Sequence, residues 1–105
     1  MAKSLYEIRM NFRAAKRIAD NLQALGNKLR TVSEERYGGT LRNISNNWKG
    51  ENATAYLNKG NVLKGKMTNT AGDLIKAAET IRTIARNTYE AEMNAYRIAS
   101  TRNSS

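Results

Sequence analysis

Ser45-Asn46-Asn47-Trp48-Lys49-Gly50 sits near the midpoint of the 105-residue chain and holds its only tryptophan. Three short polar residues that compete with helical backbone precede it, and a glycine closes it. On both sides the apolar residues recur at helical spacing, so the stretch reads as the elbow between two long helices. The predicted fold is all-α. It is an antiparallel two-helix hairpin over residues 1–105 as a single domain, with helix 1 about 4–45, an elbow at 46–50, helix 2 about 51–98 and a disordered tail at 99–105.

Working outward toward the N-terminus, Ser4-Leu5-Tyr6-Glu7 has the form of a capping box, with Ser4 accepting from the third helical N–H and Glu7 reaching back. Ile8, Phe12, Ala15, Ala19, Leu22, Gly26 and Leu29 then mark one helix face in steps of three and four. Ile18 and Leu25 widen that face on one flank, beyond what a simple two-helix seam needs. Arg9, Arg13, Lys16 and Arg17 project away from it, as a solvated face or a binding patch. Gly38-Gly39 interrupts the pattern at a cost of about 2 kcal/mol against alanine. A kink there and a helix end there are the two readings.

Toward the C-terminus, Glu51 suits the positive end of a new helix dipole. The predicted inward line is Tyr56, Gly60, Leu63, Met67, Thr70, Leu74, Ala77 or Ala78, Ile81, Ile84 or Ala85, Thr88, Ala91 and Ala95. This is nearly a 3.5-residue repeat held for about five heptads. The expected helix–helix contacts are therefore Ile8, Phe12, Ala15, Ala19, Leu22 and Leu29 against Tyr56, Leu63, Met67, Leu74 and Ile81. Gly65 and Gly72 fall on the outer face, where no packing reason for them is visible. Two arms of about 40 residues are each about 60 Å long and close little core, so pairing of two hairpins into a four-helix bundle is expected.

Composition narrows the function. The chain has no cysteine and no histidine, which removes disulfides, thiol chemistry, the usual zinc sites and histidine acid–base catalysis. The close acidic pairs, Glu34-Glu35 and Glu90-x-Glu92, do not face each other on a helix, so no enzymatic activity is expected. No cofactor and no metal site are expected either. There is no apolar signal segment after Met1-Ala2-Lys3-Ser4, and no run reaches the roughly 20 apolar residues of a membrane span.

Net charge is +9, with ten basic and four acidic residues before Glu51 and eight and five from there on. That excess points to an acidic protein, nucleic acid or an anionic surface. A basic nucleic-acid-binding helical protein is the alternative function. It is disfavoured, because no helix-turn-helix or aromatic platform is evident and the cations spread along both arms.

The central Trp48-x-Gly50, the length and the two periodic arms together resemble the WXG family, the ESAT-like small proteins of type VII secretion. Ala53 shortly after the glycine and Tyr56 eight positions after the tryptophan match that family's pattern. The resemblance covers nearly the whole chain. It implies a secretion substrate or a secretion-associated targeting partner. Such a protein is made in the cytoplasm and exported without a cleaved signal peptide. It acts as a homodimer, or as a heterodimer with a second hairpin protein or an effector's helical N-terminal domain, and is read by a secretion ATPase. It also implies a recognition role for Trp48 and Gly50. The family's Tyr-x-x-x-Asp/Glu tail signal is displaced here: Tyr89 is followed four residues later by Met93, with Glu92 one position early. Tyr89 and Glu92 are the expected composite tail surface.

Overall fold

A computed structural model describes residues 3–104, and the described residues contain helix and no strand. Helix α1 spans Leu5–Thr31, a π-helical segment spans Val32–Tyr37, α2 spans Gly38–Asn47 and α3 spans Glu51–Ser104. The chain forms two compact units, one of Met1–Leu22 with Ala77–Ser105 and the other of Gln23–Lys76. Met1, Ala2 and Ser105 lie outside the described residues, so the leader reading at the first two and the tail reading at the last are not addressed.

Helix α1 begins as its capping residues dictate. The Glu7 N–H donates to Ser4 Oγ at 3.1 Å, and the Ser4 hydroxyl in turn lies 3.4 Å from Glu7 Oε1. The glutamate therefore answers the cap through the serine hydroxyl instead of the serine N–H. In the unit that holds this end, Ile8 and Ala19 are fully buried from α1, and Ala78 and Ala85 are buried from α3. Phe12 lies on Tyr89 with ring centroids 4.7 Å apart. Asp20 accepts from Arg82 at 2.8 Å, and Lys3 reaches Glu92 at 3.2 Å. Within this unit the two segments run in opposite directions, since higher positions on α1 meet lower ones on α3. The Asp20–Arg82 pair is largely solvated at its carboxylate and contributes between zero and about 1 kcal/mol, whereas Lys3 meets a Glu92 side chain that is mostly buried. Burial of Ile8 contributes about 2–3 kcal/mol.

The second unit is held by short side chains and one buried hydroxyl. Gly26 is buried, and a Cβ built on it would stand 2.9 Å from the Ala71 carbonyl oxygen and 2.9 Å from Ile75 Cγ1. Gly60 is buried likewise, its absent Cβ lying 2.5 Å from Leu41 Cδ2. Ser33 is fully buried; its Oγ donates to the Lys64 carbonyl at 3.0 Å and sits 2.7 Å from Thr68 Oγ1. A buried hydroxyl left without such partners would cost about 1–3 kcal/mol. Here too the segments are antiparallel, and Ala53, Gly60 and Ala71 form the buried line of α3.

The irregularity in helix 1 precedes the glycine pair. The π-helical turn occupies Val32–Tyr37, and the Gly38 N–H is shared between the carbonyls of Ser33 and Glu35. The helix does not end at Gly38; α2 starts there and runs ten residues. The extra residue in the turn has a packing cause. Ser33, Gly38 and Leu41 are all buried, yet Ser33 and Gly38 are five apart, which regular helix would place well over 100° from each other. A π turn takes up that residue and returns Gly38 and Leu41 to the line of Ser33.

The tail also departs from expectation. Instead of stopping near residue 98, α3 continues through Ser104. Neither Gly nor Pro falls in the last residues to stop it, and Thr101 Oγ1 donates to the Arg97 carbonyl at 2.8 Å.

Gly65 and Gly72 lie inside α3 with nothing within 4 Å of an added Cβ. Gly65→Ala and Gly72→Ala are each expected to raise stability by about 1 kcal/mol through helix propensity alone. Thermal unfolding followed by circular dichroism checks this, and a lower Tm for either variant contradicts the open surroundings of these positions.

Candidate functional site

The central elbow is short. Asn47 ends α2, the Trp48 N–H still donates to the Ile44 carbonyl at 2.8 Å, and Trp48 itself is extended at φ −131°, ψ 124°. Gly50 has φ +114°, in the region where L side chains are strained, with open space on its Cβ side. The Gly50 carbonyl then accepts from both the N–H and the Oγ1 of Thr54, at 3.0 and 3.1 Å, which starts α3. Lys49 folds back, its Nζ donating to the Ser45 carbonyl at 2.6 Å. A cation there also suits the negative end of the α2 dipole.

Trp48 keeps 45% of its surface exposed and leans on Tyr56, with ring centroids 6.0 Å apart and the planes tilted by 56°. Ala53, between them in sequence, is buried. The elbow thus presents two partly free rings beside an open glycine.

Tyr89 and Glu92 come together on one groove of about 200 Å³ in the first unit, with Ile8, Ala15, Ile81 and Ile84 among its other lining residues. Tyr89 is half-buried by its stacking on Phe12. Glu92 gives one carboxylate oxygen to Lys3, and its Oε2 is buried without a hydrogen-bond partner. An unsatisfied carboxylate oxygen at an apolar groove is a place where a donor from a partner would be gained at little desolvation cost.

The expected helix contacts divide into two sets. Ile8 and Ala19 are buried, and Phe12, Ala15, Leu22, Leu29, Met67, Leu74 and Ile81 are half-buried. Tyr56 and Leu63 stand exposed, at 54% and 49%. The buried line of α3 passes beside them through alanine and glycine, because short side chains let two backbones approach closely. Sequence reasoning missed Ala71 and Ser33. The seven-residue recurrence of Ala71, Ala78 and Ala85 was the signal for the first; a lone serine in a polar stretch gave none for the second.

Each unit leaves large apolar side chains uncovered. In the first, Ile18 of α1 and Ile84 of α3 are about half exposed; in the second, Leu25 of α1 and Tyr56 and Leu63 of α3 are, the last two a heptad apart. None of the helices is long and apolar enough to cross a membrane, judged over the described residues. Comparison of the chain with protein-family models, with curated proteins and with solved structures gives no match.

Proposed function

We propose that this chain is a non-enzymatic helical hairpin of the type VII secretion class, either a substrate of that machinery or the targeting partner of one. It acts by pairing with a second hairpin, or with the helical N-terminal domain of an effector, to complete a four-helix bundle. The observation that supports this reading is the large apolar side chains left uncovered in each unit, Ile18 and Ile84 in the first and Leu25, Tyr56 and Leu63 in the second, while small side chains fill the buried positions of α3. Large apolar side chains left exposed in this way are what a second pair of helices would bury. Stable association asks for about 1,200–2,000 Å² of total buried surface, which two helices of this length can supply.

Export recognition rests on the elbow and on the resemblance of Trp48-x-Gly50 to the WXG pattern. The half-exposed Trp48 ring is available to a reader such as the secretion ATPase, and the open glycine next to it lets the reader approach the backbone. The groove with Tyr89 and Glu92 is the corresponding tail surface.

Two measurements separate the halves of the proposal. In sedimentation with the intact chain, alone and with its candidate partner, a pair is expected. Ile18→Glu with Ile84→Glu should weaken that pair at least 100-fold, since each places a carboxylate in the interface. Both positions are exposed in the single chain, so the variant should keep its helicity. A chain that stays monomeric in every mixture overturns pairing. Trp48→Ala should lower export by the intact system about tenfold at unchanged mass of the complex; unchanged export overturns recognition at the elbow.

A further inference from the structure

Four cations near the start of α1 have no carboxylate partner among the described residues. Arg9, Arg13, Lys16 and Arg17 are all exposed, and none of them forms an ion pair with a described residue. The nearby carboxylates are engaged elsewhere: Asp20 with Arg82, Glu92 with Lys3, and Glu7 with the Ser4 hydroxyl. Glu79 and Glu90 of α3 are exposed and bond to none of these cations. At 3.6 residues per turn the steps 9, 13, 16 and 17 keep the four on one side of α1.

Apolar tips are set among them. Tyr6 is 72% exposed and Met10 44% exposed, and both line one shallow depression with Arg9 and Arg13. The next depression is lined by Arg9, Arg13 and Lys16 over Phe12 and Tyr89, and Lys16 Nζ stands 5.5 Å from the centroid of the Phe12 ring. Arg9 and Ile18 are nine positions apart, two and a half turns. Arg9 therefore points away from Ile18, while Arg17, one position before Ile18, borders its flank.

We infer that this side of α1 docks on an anionic lipid surface, with Arg9, Arg13, Lys16 and Arg17 on the headgroups and Tyr6 and Met10 entering the interface. Two features favour a membrane surface over a nucleic acid. The cations stand on the outer side of a helix and border only shallow depressions, so no groove is present to track a strand. Phe12 and Tyr89 are stacked on each other, which leaves Tyr6 as a single free ring beside these cations and no row of rings for successive bases. Exposed Tyr and Met beside Arg and Lys are instead the composition of a helix that lies in a headgroup layer. The inference rests on the cations and apolar tips of α1 alone and does not depend on the pairing reading.

The test is co-sedimentation of the full chain with vesicles of phosphatidylcholine alone and with about 30% phosphatidylglycerol, at low and high salt, beside a gel shift with duplex DNA. Binding is expected to the anionic vesicles alone, and it should be lost at about 0.5 M salt, where the Debye length is only a few ångströms. Arg9→Gln with Arg13→Gln should weaken partitioning roughly 25-fold, at about fivefold per cation near the surface. Tyr6→Ser with Met10→Ser should weaken it several-fold at unchanged charge. Lys59→Gln with Lys66→Gln removes the same charge from the other unit and should change it little. Equal loss from the two charge pairs reduces the effect to net charge and overturns the face. Absence of vesicle binding overturns it as well, and DNA binding in that case assigns the cations to a nucleic acid.

Discussion

Gly26→Leu is expected to lower stability by about 3 kcal/mol or more. The reason is what the new side chain meets. An added Cβ alone would stand 2.9 Å from the Ala71 carbonyl oxygen, 2.9 Å from Ile75 Cγ1 and 3.3 Å from Leu74 Cβ. The first of these is backbone inside α3 and cannot turn aside, so the helices must separate, and the buried small-residue line opens with them. Overpacking of this kind costs about 1–3 kcal/mol for a well-packed core, and leucine adds three further carbons. Gly26→Ala gains about 1 kcal/mol of helix propensity against its clash and should fall between the parent and the leucine variant. Chemical denaturation of the three proteins measures the series. Equal midpoints for parent and Gly26→Leu would mean that α1 and α3 do not approach each other here.

Removal of Glu35 is expected to be comparably damaging, by about 3 kcal/mol, although that residue is exposed and has no side-chain bond. Deleting one residue from the π turn restores regular helix and rotates everything after it by about 100°. Leu41, which is only 5% exposed, would leave its place against Gly60, and Gly38 would leave Lys64. Loss of a buried leucine from its site costs about 2–5 kcal/mol. Glu35→Ala keeps the residue count and should stay within about 0.5 kcal/mol of the parent. Hydrogen exchange at the α2 amides distinguishes the two: fast exchange for the deletion, parental exchange for the substitution. Parental protection in the deletion would show that the turn has no phasing role.

The two expectations also mark how far residues alone reveal this fold. The start of α1 was readable from Ser4 and Glu7, and the break before α3 from Trp48-Lys49-Gly50, because caps and a positive φ depend on neighbours in the chain. The line that α3 buries was harder. Tyr56 and Leu63 carry more apolar surface than Ala53 or Ala71, so a pattern of hydrophobicity draws attention to the wider line. Burial follows closeness of approach, and that favours the smaller one. Two apolar lines side by side on one helix cannot be told apart by period. The π turn in Val32-Ser33-Glu34-Glu35-Arg36-Tyr37 was not readable, since nothing in those six residues disfavours an ordinary helix. It exists because Gly38 and Leu41 must meet α3 in line with Ser33.

The candidate sites divide in the same way. Trp48 and Gly50 could be selected from rarity and position, while the groove at Tyr89 and Glu92 needed the pairing of Phe12 with Tyr89 before it existed as a surface. The cations of α1 were visible as a group, but their lack of carboxylate partners depends on Asp20 and Glu92 being taken by Arg82 and Lys3.

Gly50 carries one more consequence, which concerns handedness. Every other described residue has a backbone suited to L-amino acids, and this one alone has a φ of +114° with empty space where a side chain would project. A φ of that sign and size is one that D-amino acids adopt readily and L side chains rarely do. At the midpoint of an otherwise right-handed chain there is thus a single achiral link whose geometry belongs to the opposite enantiomer. Ribosomal synthesis can supply it only as glycine.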